Sequence, residues 1–221
     1  MIRRVQPVFD FKGLLGVRVC VDSSLLQLIF IIMIVLGVMG GDIIWAATFI
    51  AMAIVSIYLH ELGHAAGAQS QGVAVDHIML HGAGGYCAHA KSEPKQDMIT
   101  VLSGPTVNLF LWITAGPIAA MAFGDHSTAA AYATFFGKLN LWLFLFNMLP
   151  VLPLDGGRIT YLALWYFLPR ETAMKIAGLL GLIVSIIWFP IIIYLFIVYG
   201  FILLFFPSIK ENWRRFRGEI Q

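Results

Sequence analysis

The sequence predicts an all-α polytopic membrane fold of about six transmembrane helices. Three observations carry this. Of 221 residues, 60% are hydrophobic and 12% charged, against roughly half and a quarter in soluble domains. The apolar residues fall in long runs, most of them near the roughly 20 residues that cross hydrocarbon. The longest polar stretch, about Gln69 to Asp97, is too short and too Gly-rich to bury a core of its own. Residues 1–221 therefore read as a single transmembrane domain.

The first run spans about Ser24 to Val38 and ends at Gly40-Gly41-Asp42. The second spans about Ile43 to Ala68, the third Met98 to Phe123, and the fourth Ala131 to Leu149. A proline-rich stretch follows, from Pro150 to Arg158. Ile159 to Leu168 is apolar but short, and Ala173 to Phe206 is too long for one ordinary crossing. Pro190 is the expected point of kinking or division, since it lacks a helix donor.

Charge placement orients these runs. Arg3, Arg4, Lys12 and Arg18 mark one end, and Lys210, Arg214, Arg215 and Arg217 the other. The positive-inside tendency puts both termini in the cytoplasm and favours an even count, six rather than seven. Lys91 and Lys95 put the loop after the second run inside as well. His60 lies 17 residues past Ile43, about 25 Å of helix, toward the cytoplasmic face. The net charge of +2 gives no nucleic-acid surface. The N-terminus, with Asp10 and Lys12 ahead of the first long apolar run, does not read as a cleavable signal peptide. Cys20 and Cys87 cannot staple a bundle and read as free thiols.

The chemistry begins at His60-Glu61-Leu62-Gly63-His64. On a helix, positions i and i+4 share a face, so both imidazoles can bind one ion, with Glu61 placed to take a proton from its water. Three ionisable residues in an apolar helix are costly and mark function. A catalytic zinc site wants a third protein ligand and an open position, and no third histidine follows nearby. Asp155, directly after the prolines and before Gly156-Gly157, is the candidate; as a lone segment it reads equally well as a helix N-cap. The orphan HExxH favours the ligand. His77, His81, His89 and His126 read as solvated loop histidines.

HELGH on one apolar helix, followed by Asn147-x-x-Pro150-x-x-Pro153-Leu154-Asp155-Gly156-Gly157-Arg158, resembles the site-2 protease family of intramembrane zinc metalloproteases. The resemblance covers a catalytic core of about 43–158. It implies one zinc ion per chain, held by His60, His64 and Asp155, with Glu61 as the base. It implies hydrolysis of peptide bonds in or near transmembrane segments of membrane-protein substrates, in regulated intramembrane proteolysis, within a prokaryotic cell membrane. Its partners are then a transmembrane substrate and the bilayer. The family pattern permits Asn147 to hold the substrate carbonyl or its developing oxyanion; a helix–helix hydrogen bond is the alternative, and Asn140 is the weaker candidate for the same role. His81-Gly82-Ala83-Gly84-Gly85-Tyr86 resembles part of a short membrane-associated β-hairpin between the second and third helices. Gly84 and Gly85 would there offer an edge to an extended substrate, the alternative being a flexible turn. Ser103-Gly104-Pro105-x-x-Asn108 also resembles the family and reads as close helix packing by small residues. The expected form is minimal, without inserted PDZ or appended CBS domains. Two rivals stand beside the protease: a metal-ion carrier, for which Glu61 is an arbitrary feature, and a proteolytically dead scaffold.

Overall fold

The computed structural model describes residues 7–199 and 207–219. The chain divides into two compact units, Met1–Phe144 and Leu145–Gln221. In the first, α1 spans Ser23–Val38, α2 Ile43–Ser70 and α3 Pro94–Phe123, and α4 starts there and spans Thr128–Asn147. Each of the first three helices starts where a side chain can satisfy its orphan amides. Asp22 accepts from Ser24 N at 2.8 Å, and Asp42 from Trp45 N at 3.0 Å. Glu93 and Gln96 form a reciprocal box around Pro94. α2, α3, α4 and the 170–194 part of a later helix are long and apolar enough to cross a bilayer. Their outward apolar side chains, such as Phe110, Ile113 and Trp142, are exposed in the protein alone, as lipid-facing positions must be. The chain is an integral membrane protein.

α2 and α3 approach closely because glycines line the contact. A methyl on Gly63 would stand 2.7 Å from Ser103 O and 2.8 Å from Val107 Cγ2. One on Gly67 would stand 2.4 Å from Ser103 Oγ and 3.1 Å from Thr100 Cα. α3 continues through Pro105 and Pro117, as helices at membrane depth can when neighbours satisfy the freed backbone.

The hairpin expected between the second and third helices is part of a larger sheet. β1 (Phe9–Lys12), β2 (Arg18–Val21), β3 (Val75–His81) and β4 (Gly84–His89) lie in that order. β1 and β2 are antiparallel, β2 and β3 parallel, and β3 and β4 antiparallel. The two N-terminal strands were not expected, because they are four residues long and the main partner of β2 lies far along the chain. Val17, Val19, Ile78 and Leu80 bury themselves with Ala65 of α2, and Ile57, Tyr58 and Leu62 pack against them. The sheet is thus fastened to α2 at the level of His60 to His64. The histidines expected in a loop stand on strands: His77 and His81 on β3, His89 on β4.

In the second unit, α5 spans Asp155–Phe167, α6 Arg170–Tyr199 and α7 Ile209–Phe216. α6 runs unbroken across Pro190, so no division occurs there; residues 200–206 of the expected run lie outside the described residues. α7 packs on α6 through Gly178 and Gly181, where a methyl would meet Phe216 N at 2.6 Å and Asn212 Oδ1 at 2.5 Å.

Gly67→Val forces branched carbons into the α2–α3 contact and costs about 1–3 kcal/mol of overpacking. Its melting temperature in detergent is expected to fall by about 5–10 °C. Gly37→Ala, whose methyl would find only Ile43 Cδ1 at 3.9 Å, is expected to melt within about 2 °C of wild type.

Candidate metal centre

His60, Glu61 and His64 are only 5%, 6% and 7% exposed, so they are served by protein groups rather than by bulk water. The small-residue contact between α2 and α3 makes this possible. A methyl on Gly104 would lie 2.4 Å from both Cε1 and Nε2 of His64; α3 therefore presses its backbone against that ring. At this range α3 supplies a partner to each histidine. His64 Nδ1 lies 2.8 Å from the Thr100 carbonyl oxygen, and His60 Nδ1 lies 2.5 Å from Asn108 Oδ1.

These partners assign the imidazole protons. A backbone carbonyl only accepts, so His64 Nδ1 carries its hydrogen. At His60 the proton is fixed by two amides in series. Asn140 Nδ2 points at the Phe136 carbonyl oxygen at 2.9 Å and at Ser56 Oγ at 3.0 Å. Asn140 Oδ1 therefore accepts from Asn108 Nδ2 at 2.7 Å. That leaves Asn108 Oδ1 facing His60, and His60 Nδ1 donates to it. With Nδ1 turned to these acceptors, the two Nε2 atoms face each other at 3.1 Å. Two imidazole nitrogens at this separation can ligate one cation between them. Two imidazoles with Nδ1–H tied to oxygen acceptors and Nε2 converging are the usual donor arrangement of a histidine metal site.

Glu61 meets the sheet. A methyl on Gly85 would stand 2.8 Å from Glu61 Cγ and 3.0 Å from its Oε1, so the β4 backbone lies directly on the carboxylate side chain. Among the described residues β4 pairs only with β3, and its other edge is an open row of backbone groups. Gly84 sits at φ +128°, a backbone region that favours glycine. Cys87, two residues further along β4, has its thiol pushed up to about 12, by burial first and by the nearby Glu61 charge second. Both cysteines are free thiols.

Asp155 opens α5, with Leu154 in the N-cap position; it is not the cap itself. Gly156 and Gly157 allow the first turn of α5 to tuck beneath the preceding loop, since methyls there would lie 2.3 Å from Met148 O and 2.4 Å from Val151 C. The loop holds its form through Leu154 N donating to Val151 O at 2.9 Å. His60 and His64 on α2 bring two metal-ligating donors together, and Asp155 carries a carboxylate in the first turn of α5. Asn147 is the last residue of α4 and is half-buried. His77, His81 and His89 join no such set among the described residues; His77 Nδ1 instead lies 2.9 Å from its neighbour Asp76.

Two residues that touch the histidines escaped the sequence reading, Thr100 and Asn108. In the sequence Asn108 stands only at the end of a packing motif. Its signal was available: it is a polar residue one turn past Gly104, inside an apolar helix where an amide must find partners.

Peptidase family M50 matches over residues 48–125 and 113–189. A zinc metalloprotease of Methanocaldococcus jannaschii is 31% identical over 140 residues, which are 63% of this chain and 41% of that protein. The Rip3 protein of Mycobacterium tuberculosis is 38% identical over 119 residues, 52% of this chain and 30% of its own length. The chain thus spans less than half the length of these curated relatives. The solved site-2 protease from Methanocaldococcus jannaschii shares the fold, with a TM-score of 0.64 at 24% identity over 95% of this chain and 92% of that one.

Gly104→Ala drives a methyl into the His64 ring and is expected to weaken divalent-metal binding at least tenfold in chelator competition, in line with losses seen when a ligand's setting is disturbed. Circular dichroism in detergent should show unchanged helix content. In a Cys20→Ser background, Cys87 is expected to alkylate about 100-fold or more slowly at pH 8 than in the denatured chain. A thiol pushed up to about 12 holds little thiolate there, and the rate should climb about tenfold per pH unit up to pH 11.

Proposed function

The chain belongs to peptidase family M50, and from that membership we propose that it is a zinc metalloendopeptidase. It hydrolyses peptide bonds in or near the transmembrane segments of membrane-protein substrates, as a step in regulated intramembrane proteolysis. The observation that carries this is the approach of His60 Nε2 and His64 Nε2 to 3.1 Å on one face of α2, with Glu61 next in the chain and the Gly85 backbone of the edge strand β4 packed against it.

Two imidazole nitrogens and one carboxylate oxygen form a three-ligand set that suits zinc and leaves a fourth position for water or substrate. His60, His64 and Asp155 are those ligands in this reading, one ion per chain. Bound there, zinc supplies Lewis acidity and lowers the pKa of a water toward neutrality. Glu61 accepts the proton of the attacking water and returns it to the leaving amine. An intact substrate helix hides its carbonyls, so the scissile stretch must be held extended. The β4 edge offers the backbone partners for that, and Gly84 and Gly85, lacking side chains, let a strand come close to Glu61. Asn147 donates to the developing oxyanion. Six crossings with both termini in the cytoplasm, in a prokaryotic cell membrane, complete the arrangement, with the site toward the cytoplasmic side.

The test uses protein purified in detergent. Wild type is expected to hold about one zinc and to cleave a transmembrane model peptide. Asp155→Ala is expected to lose most of the metal. Glu61→Gln is expected to keep the metal and lose about 10²–10⁴ in kcat, the usual share of general acid–base catalysis. Wild-type cleavage by Glu61→Gln would remove the base from the mechanism, and full metal retention by Asp155→Ala would remove the third ligand. Gly85→Val is expected to lower kcat at least tenfold with metal content unchanged, because its side chain must push on Glu61.

A further inference from the structure

We propose that Asn140 is a positioning residue for the metal centre, acting on His60 through Asn108. Its side-chain bonds go to Asn108, Ser56 and the Phe136 carbonyl oxygen. Its effect is to decide which end of the Asn108 amide His60 sees.

The chain of four side chains crosses three helices: Ser56 on α2, Asn140 on α4, Asn108 on α3, and His60 back on α2. Ser56, Asn108 and Asn140 are fully buried, so water cannot substitute for any link. Asparagine is ambiguous on its own, because oxygen and nitrogen have nearly the same shape. Turned one way, Asn108 presents an acceptor to His60 Nδ1. Turned the other, it presents a donor, and the imidazole must then move its hydrogen to Nε2. A hydrogen on Nε2 occupies the lone pair with which this ring faces His64, and metal binding must first displace it. The direction therefore matters, and something has to set it. The Phe136 carbonyl oxygen does so: it accepts from Asn140 Nδ2 at 2.9 Å and cannot donate. Asn140 Oδ1 is then the group facing Asn108, and it takes Asn108 Nδ2 at 2.7 Å. The sense of every bond is inherited from one backbone carbonyl of α4.

Ser56 has a different standing. Its hydroxyl rotates to accept or donate as required, so the 3.0 Å contact with Asn140 Nδ2 stabilises the relay without setting its direction.

The inference rests on the reading of His60 as a ligand, and its test reads metal affinity and fold separately, not peptide cleavage. Zinc affinity is measured by chelator competition on the full chain in detergent, with the metal-free melting temperature alongside. Asn140→Leu is expected to weaken zinc binding about 10–100-fold, the usual effect of removing an outer-shell partner. Asn108→Asp combined with Asn140→Leu is expected to recover most of that loss. Both oxygens of a carboxylate accept, so His60 Nδ1 keeps its acceptor whatever stands at position 140. Ser56→Ala is expected to stay within about threefold of wild type, since direction survives. Should leucine not be accommodated, Asn140→Ala carries the same expectations. Wild-type affinity in the position-140 variant overturns the proposal. So does a double variant no tighter than the single one, or a Ser56→Ala loss as large as that at 140. Each of these would make Asn140 a helix-packing residue only. A wild-type chain that binds no zinc at all would instead overturn the metal reading itself.

Discussion

The approach of α3 to α2 is the constraint on which the centre depends. Imidazoles buried in an apolar medium need oxygen acceptors for their N–H groups. Only a helix lying nearly backbone to backbone can bring a main-chain carbonyl to one ring and a short amide to the other. Gly63, Gly67 and Gly104 remove the atoms that would hold the helices apart. The Thr100 carbonyl and Asn108 Oδ1 then arrive at His64 and His60. Small residues in membrane helices are often read as packing devices alone. Here the same contact shapes the chemistry, because distance between axes decides whether the ligand rings have partners.

Much of this was legible in the sequence, and the reasons are particular. The first four helices stand out because uninterrupted apolar length has one explanation in a bilayer; the third starts at Pro94 rather than at Met98, because its first turn is polar and carries no apolar signal. HExxH was legible because the helical repeat turns a spacing of four into a shared face. The N-terminal strands were not, because Phe9–Lys12 and Arg18–Val21 carry only four residues each of alternation. The pairing of β2 with β3 joins Arg18 to His77, a closure across α1 and α2 that no local pattern announces. The histidines of β3 and β4 were misread as loop residues for the same reason: a glycine-rich turn seen without its strands looks like an unstructured stretch.

The relay behind His60 was also hidden, though each member was in plain view. Ser56, His60, Asn108 and Asn140 are separated by 84 positions at most, and nothing in the sequence says that three polar residues on three helices converge. What the sequence does offer is a general demand: each buried amide in hydrocarbon must find partners. That demand points to a network without drawing it. The two-unit division of the chain adds a second layer, since the residues around Asp155 are organised by their own loop and their own glycines, separately from the helices that hold the histidines.

The two borders of the sheet differ in character. β1 carries Asp10 and Lys12, with Asp10 paired to Arg18 at 2.7 Å, and charges of this kind discourage a foreign strand from adding. β4 reads Gly-Gly-Tyr-Cys-Ala-His and has no acidic or lysine side chain to do so. The sheet therefore carries charge on its β1 border and none of that kind on its β4 border, and β4 is the strand whose Gly85 packs against Glu61. A strand added to this sheet would meet charge on one border and only neutral or glycine positions on the other, a directional bias written into the backbone order before any guest side chain is read.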